Sequence, residues 1–135
     1  MSNLILGLDV STSVTGVSIV DPDVDPVAGA NIAHLDRIEF KKCVTLWDKA
    51  DRVKSELQLL KVRFPNITVF ALEEPLLGFS KGMSSAATIT TLMRFNGIVS
   101  YIGRDVFGLE PTYVPAASAR KLCGVKLQKT SVAGM

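Results

Sequence analysis

Two carboxylates in this sequence stand where apolar runs end. Leu4-Ile5-Leu6-Gly7-Leu8 leads straight into Asp9, and Ile67-Thr68-Val69-Phe70-Ala71-Leu72 leads into Glu73, with Glu74 and Pro75 behind it. A carboxylate among apolar neighbours is costly unless a cation or hydrogen-bond donors meet it. The turn after Asp9, Ser11-Thr12-Ser13, supplies hydroxyls and backbone N–H groups beside it. If the two strands are neighbours, the carboxylates converge at one sheet edge. Such a pair suits Mg²⁺, with Mn²⁺ the other candidate, because hard cations take oxygen ligands and keep water or phosphate oxygens in their open positions. Two ions held this way clamp the attacking and leaving oxygens of an in-line phosphodiester displacement. The plainer reading makes Asp9 a turn cap and Glu73 or Glu74 a solvated strand end. The apolar run before each acid favours the metal.

Other chemistries find less support. His34 stands alone, and Cys43 and Cys123 match no metal-ligand spacing. Zinc and Ser-His-Asp chemistry are therefore poor fits, and the cysteines read as buried thiols in a reducing compartment. Asp21, Asp23 and Asp25 alternate with Pro22 and Pro26 and lack a completing acid at loop spacing, which gives a solvated loop rather than a calcium site. A length of 135 residues allows one domain with a real core. The hydrophobic content of 47% is high, yet no apolar span reaches membrane length and no basic segment precedes an apolar one at the N-terminus. These readings give a cytoplasmic protein. The net charge of +2 hides an asymmetry: from Arg94 onward six basic residues face two acidic ones, against nine and eleven before it. A basic C-terminal third is compatible with a phosphate-backbone partner, and equally with an ordinary solvated face.

The elements that must hold the acids follow from periodicity. The segment 4–20 reads as two strands joined by the Ser/Thr turn, with Gly16 leading into the second. The proline-rich stretch 21–26 suits neither helix nor central strand. A third strand is predicted over 35–44. Leu46, Ala50, Val53, Leu57 and Leu60 recur at three and four, an amphipathic helix over 47–64 stopped by Pro65-Asn66. The run 67–72 is a short strand of the kind covered on both faces, and Pro75 forbids further pairing beyond it. A long helix over 83–106 is apolar on most sides and must be covered by the sheet and by something else. Tyr113-Val114 gives a last strand, 116–122 a short helix, and Lys129-Thr130-Ser131 the start of another. This order predicts an α/β domain with a central mixed five-stranded sheet flanked by helices, an antiparallel hairpin unit followed by parallel crossovers.

Ribonuclease H-like nucleases and actin-like sugar kinases both open on a strand, an Asp and a turn. Taken together, the motifs resemble the RuvC-type Holliday-junction resolvase family of the ribonuclease H-like superfamily. Leu6-Gly7-Leu8-Asp9-Val10-Ser11 with Thr15-Gly16 looks like its strand-Asp-turn-Gly start, and Phe70-Ala71-Leu72-Glu73-Glu74 like its strand with the second catalytic acid, matched by Glu73. Residues 92–98 look like the helix that pairs two subunits, and Ala116 to Arg120, Gly124 and Lys129 like the basic segment before the last helix. The resemblance implies a Mg²⁺-dependent endonuclease that resolves four-way DNA junctions as a homodimer through the 83–106 helix. Asp9 and Glu73 would be catalytic metal ligands, Glu74 and Lys129 accessory groups, and Phe79, Lys81, Arg120, Lys121, Lys126 and Lys129 DNA contacts. Leu76 occupies the place of the family's junction-opening aromatic, and Phe79 is the nearest substitute. No Asp or Glu follows Glu110, whereas the family's final helix carries two further acids, so 1–135 reads as one nuclease domain lacking that helix. Two alternatives stay open. A non-catalytic ribonuclease H-like domain would bind DNA or act as a scaffold. An actin-like kinase would need a second phosphate loop and a second domain, for which 135 residues leave no room.

Overall fold

Alternation along the first strand decides how the sheet is covered. In β1 (Leu4–Asp9) Leu4, Leu6 and Leu8 are buried while Ile5, Gly7 and Asp9 are not, the period-two signature of a strand with one core face. The computed structural model describes residues 3–74 and 85–115. Within them β1 is followed by β2 (Val14–Val20), a single 3₁₀ turn (Val27–Gly29), β3 (Ile32–Glu39), α1 (Leu46–Arg63), β4 (Ile67–Glu73), α2 (Ala86–Phe107) and β5 (Pro111–Val114). The sheet order is β3-β2-β1-β4-β5. The first three strands form an antiparallel meander, whereas β4 joins β1, and β5 joins β4, in parallel. This is the mixed five-stranded sheet that the sequence predicts.

The β1–β4 ladder pairs Leu6 with Phe70 and Leu8 with Leu72, so all four side chains share one face. Val17 and Ile19 of β2 and Ile38 of β3 continue it. Both described helices pack on this face: Val53, Leu57 and Leu60 from α1 and Phe95, Val99 and Val106 from α2 complete one cluster. Each such Leu or Phe taken out of water contributes about 1.5–3 kcal/mol. Phe40 meets Phe95 edge-on at 5.7 Å, linking the end of β3 to α2. Helix α2 lies so close to β4 that Gly103 sits against the Phe70 ring with no room for a Cβ. At the far end of β1 the pairing shifts between Leu4 and Ile5, a bulge that accommodates Thr68.

Local signals set the boundaries. Helix α1 begins with a capping box: Thr45 accepts from the Asp48 N–H, and Asp48 Oδ2 accepts from the Thr45 and Val44 N–H groups at 3.2 Å each. Helix α2 is capped by Ser85 and ends at Gly108, whose φ of 67° is the left-handed conformation that closes a helix. One expectation needs correction. The third strand covers residues 32–39 rather than 35–44, because the chain turns at Phe40, whose carbonyl accepts the Cys43 N–H. Among the described residues the apolar girdle of α2 is covered by the sheet on one side and by α1 on another, and Asn96 and Ser100 are buried among its apolar positions. The 116–122 helix and the segment from Lys129 lie outside the described residues, as does Met83. No described helix is long and apolar enough to cross a membrane.

Candidate active site

Asp9 and Glu73 each stand one residue beyond the last β1–β4 pair, Leu8 with Leu72. The strands are parallel, so both acids lie at C-terminal strand ends. Alternation turns both away from the leucines and the helices, onto the same face of the sheet. Adjacent strands run about 4.8 Å apart, a separation at which two carboxylates reach one cation. On the other side of β1, Asp9 pairs with Gly16, which has no side chain to cover it. A Cβ at Gly16 would lie 3.5 Å from the Asp9 Cβ, an ordinary contact. Asp9 is exposed, and its carboxylate makes no hydrogen bond or ion pair with another described residue. Glu73 is half-buried and pairs on its outer side with Val114 of β5.

Each flank of the pair is held differently. After Asp9 the chain turns through Ser11 to Ser13. The Ser13 N–H donates to Ser11 Oγ at 3.3 Å, and the fully buried Thr15 hydroxyl donates to the Ser11 carbonyl at 3.3 Å. The turn is also tied to α1, where Lys49 Nζ donates to the Thr12 carbonyl at 2.6 Å. Beyond Glu73, the exposed Glu74 leaves the strand and gives its backbone N–H to the Val114 carbonyl at 2.7 Å. Strand β5 is fixed in turn by a relay: Tyr113 Oη lies 2.8 Å from Ser100 Oγ, which donates to the Asn96 carbonyl at 2.7 Å.

The donor set is two carboxylates, and among the described residues no third His, Cys, Asp or Glu joins them in a three-membered cluster. Two carboxylate oxygens with open positions still fit Mg²⁺, which keeps several waters and shares its shell with phosphates. In the Asp21–Asp25 loop, Asp21 and Asp25 accept the N–H groups of Asp23 and Val27 within tight turns. His34 packs against the Phe64 ring at 5.5 Å and Cys43 is a half-buried free thiol. Phe79, Lys81, Arg120, Lys121, Cys123, Lys126 and Lys129 lie outside the described residues. Lys49 and the Tyr113–Ser100 relay went unread in the sequence, since a lysine in a first helical turn and a tyrosine in a short strand carry no motif.

Helix α2 has a buried and an exposed side. Phe95 is fully buried against the sheet side, whereas Met93 is 47% exposed. Next to it, Gly97, Ile98, Tyr101 and Ile102 of α2 and Trp47 of α1 line an open apolar groove.

Comparison with known proteins gives no match to any family model and none to a curated protein by sequence. Solved structures do match. Thermus thermophilus RuvC in complex with a Holliday-junction substrate superposes with a TM-score of 0.65 at 13% identity, over 88% of this chain and 68% of that one. A second T. thermophilus RuvC structure gives 0.51 at 13% identity, over 90% and 91%. The fold is ribonuclease H-like. In the ribonuclease H-like sheet of this chain, β1 and β4 are the adjacent central strands, and the Asp9–Glu73 pair stands at their ends.

Proposed function

We propose that this chain is a metal-dependent, structure-specific DNA endonuclease domain that resolves four-way junctions by paired phosphodiester hydrolysis. The observation that carries the reading is the register of β1 and β4, which sets Asp9 and Glu73 side by side on the face free of described helices. The solved structure with a TM-score of 0.65 holds a Holliday junction, which supports branched DNA as the substrate class. Asp9 and Glu73 would hold Mg²⁺ or Mn²⁺, whose Lewis acidity activates water and neutralises charge on a phosphate oxygen when bound. Asp9, exposed beside Gly16, leaves its strand end open to a phosphate backbone. Glu73, paired with Val114 of β5, is the less exposed of the two.

A junction cut needs two sites related by a two-fold axis. The exposed Met93, Gly97 and Tyr101 give α2 a surface on which a second copy can pair. Lys81, Arg120, Lys121, Lys126 and Lys129, with Phe79, would face the DNA, with Glu74 and Lys129 as accessory groups at the site. The test is cleavage of an end-labelled four-way junction in Mg²⁺ by protein made from the complete reading frame. Symmetric paired nicks are expected, and Asp9→Asn abolishes them while junction binding survives, because the substitution removes a metal ligand and leaves the basic surface. Junction binding without cleavage by the unaltered protein would instead establish the non-catalytic DNA-binding reading.

A further inference from the structure

Beyond Leu8 and Leu72 the β1–β4 ladder makes no further pair, so the backbone at Asp9 is held by β2 and by the turn that follows. The bonds inside that turn join Ser11, Ser13 and Thr15 to one another and shape it only locally. Among the described residues a further bond reaches the turn from a helix. Lys49 Nζ, in the first turn of α1, donates to the Thr12 carbonyl at 2.6 Å across 37 positions of sequence. Its ammonium also lies 5.9 Å from the centre of the Phe40 ring, which is buried edge-on against Phe95. The lysine is therefore braced against the core, and among the described residues it forms no ion pair with an acid. A half-buried ammonium that spends its short bond on a backbone carbonyl, three residues past a candidate ligand, fixes a loop.

We propose that Lys49 is a positioning residue for the Asp9 carboxylate: it pins the β1–β2 turn to α1 and so sets the cation affinity of the Asp9–Glu73 pair. The inference rests on the reading of Asp9 as a metal ligand. With the tie removed, the turn keeps its β2 pairing at Asp9 and Gly16 but loses its anchor to α1, and Asp9 meets Glu73 at a less fixed separation. Partners that orient metal ligands typically alter affinity by about 10–100-fold, and the loss of a contact acting through backbone belongs at the lower end, about tenfold.

The experiment titrates Mn²⁺ into the ¹⁵N-labelled 135-residue chain, reads paramagnetic broadening of the Asp9 and Glu73 amides, and competes it with Mg²⁺. Lys49→Met keeps the aliphatic stem on Phe40 and removes the donor; it is expected to weaken Mn²⁺ binding about tenfold and to shift the Thr12 and Ser13 amides. Lys49→Arg restores binding to within about twofold, and Lys54→Met, on the same helix and equal in charge change, leaves it unaltered. If Lys49→Met unfolds the chain, Lys49→Gln replaces it with the same expectation. Wild-type affinity in Lys49→Met, with loss of binding in Asp9→Asn, would overturn the positioning role and leave the site standing. Equal weakening by Lys54→Met would reduce the effect to net charge and overturn it too. Binding that survives Asp9→Asn would remove the site itself.

Discussion

The tight packing of Gly103 on Phe70 makes the sharpest claim on stability. At Gly103 an added Cβ would lie 2.2, 2.3 and 2.9 Å from three atoms of the Phe70 ring. Carbon atoms pack best at about 3.5–4.0 Å, so the ring would have to retreat by about 1.3 Å. Phe70 has nowhere to go: it is fully buried and packs at 6.2 Å against Phe107. Overfilling a packed core costs about 1–3 kcal/mol, and a clash this short belongs at the upper end. Alanine returns about 0.8–1.0 kcal/mol in helix propensity over glycine. Gly103→Ala should therefore destabilise the fold by about 2 kcal/mol. Gly97 is the control, since it lies on the same helix with nothing within 4 Å of its added Cβ. Gly97→Ala keeps the propensity gain and stabilises by up to about 1 kcal/mol. Urea unfolding below the concentration of self-association compares the two, read as a shift in midpoint at constant slope. A Gly103→Ala chain as stable as Gly97→Ala would refute the close packing of α2 on β4 and the position it gives the strand that carries Glu73.

Three further outcomes follow from other parts of the molecule. Met93→Asp, at a site 47% exposed, should leave folding intact and turn a sedimenting dimer into a monomer that makes single rather than paired cuts; an unaltered chain that is monomeric at high concentration contradicts the paired-cut reading. Lys129→Ala should weaken binding to all DNA sequences alike and lower the slope of log affinity against log salt by roughly one, and an unchanged slope returns Lys129 to the solvated surface. At the start of α1, the backbone N–H of Thr45 and then that of Val44 hold Asp48 below its ordinary value of 3.8. A lowered folded-state pKa makes this contribution complete above the unfolded value and lost as pH falls through the folded one. The stability gap between wild type and Asp48→Ala should thus be constant near neutrality and close below about pH 4, while Thr45→Ala costs about 1 kcal/mol at pH 7.

What the sequence revealed and what it hid divide along physical lines. The candidate pair was legible because each acid closes an apolar run of the length of a strand, and α1 because its buried residues recur at three and four. The limits of β3 were not, since Leu35, Asp36 and Arg37 are all exposed and leave no alternation to follow on an edge strand. The breadth of apolar surface on α2 was plain, but its neighbour was not: that α1 lies alongside depends on where the crossover sets it down. The Lys49–Thr12 tie and the Gly103–Phe70 contact join residues 37 and 33 positions apart. Neither kind of pairing has a periodic signature.

The single irregularity of the β1–β4 ladder has a bearing on how faithfully the chain folds. The bulge between Leu4 and Ile5 lies at the end remote from the acids, and four pairs in unbroken step separate it from Asp9 and Glu73. A slip of one residue over those four pairs would turn Phe70 and Leu72 outward and drive Glu73 into the layer of leucines. The misregistered chain would forfeit its largest core side chains and strand a carboxylate among them. Asp9 and Glu73 are 64 residues apart and meet only through this ladder, so a chain that completes folding has already rejected the misaligned site. Fidelity of the chemistry is thereby inherited from hydrophobic pairing, and variants that loosen Leu6, Phe70 or Leu72 should yield mixed populations, part competent and part inert, before they yield an unfolded one.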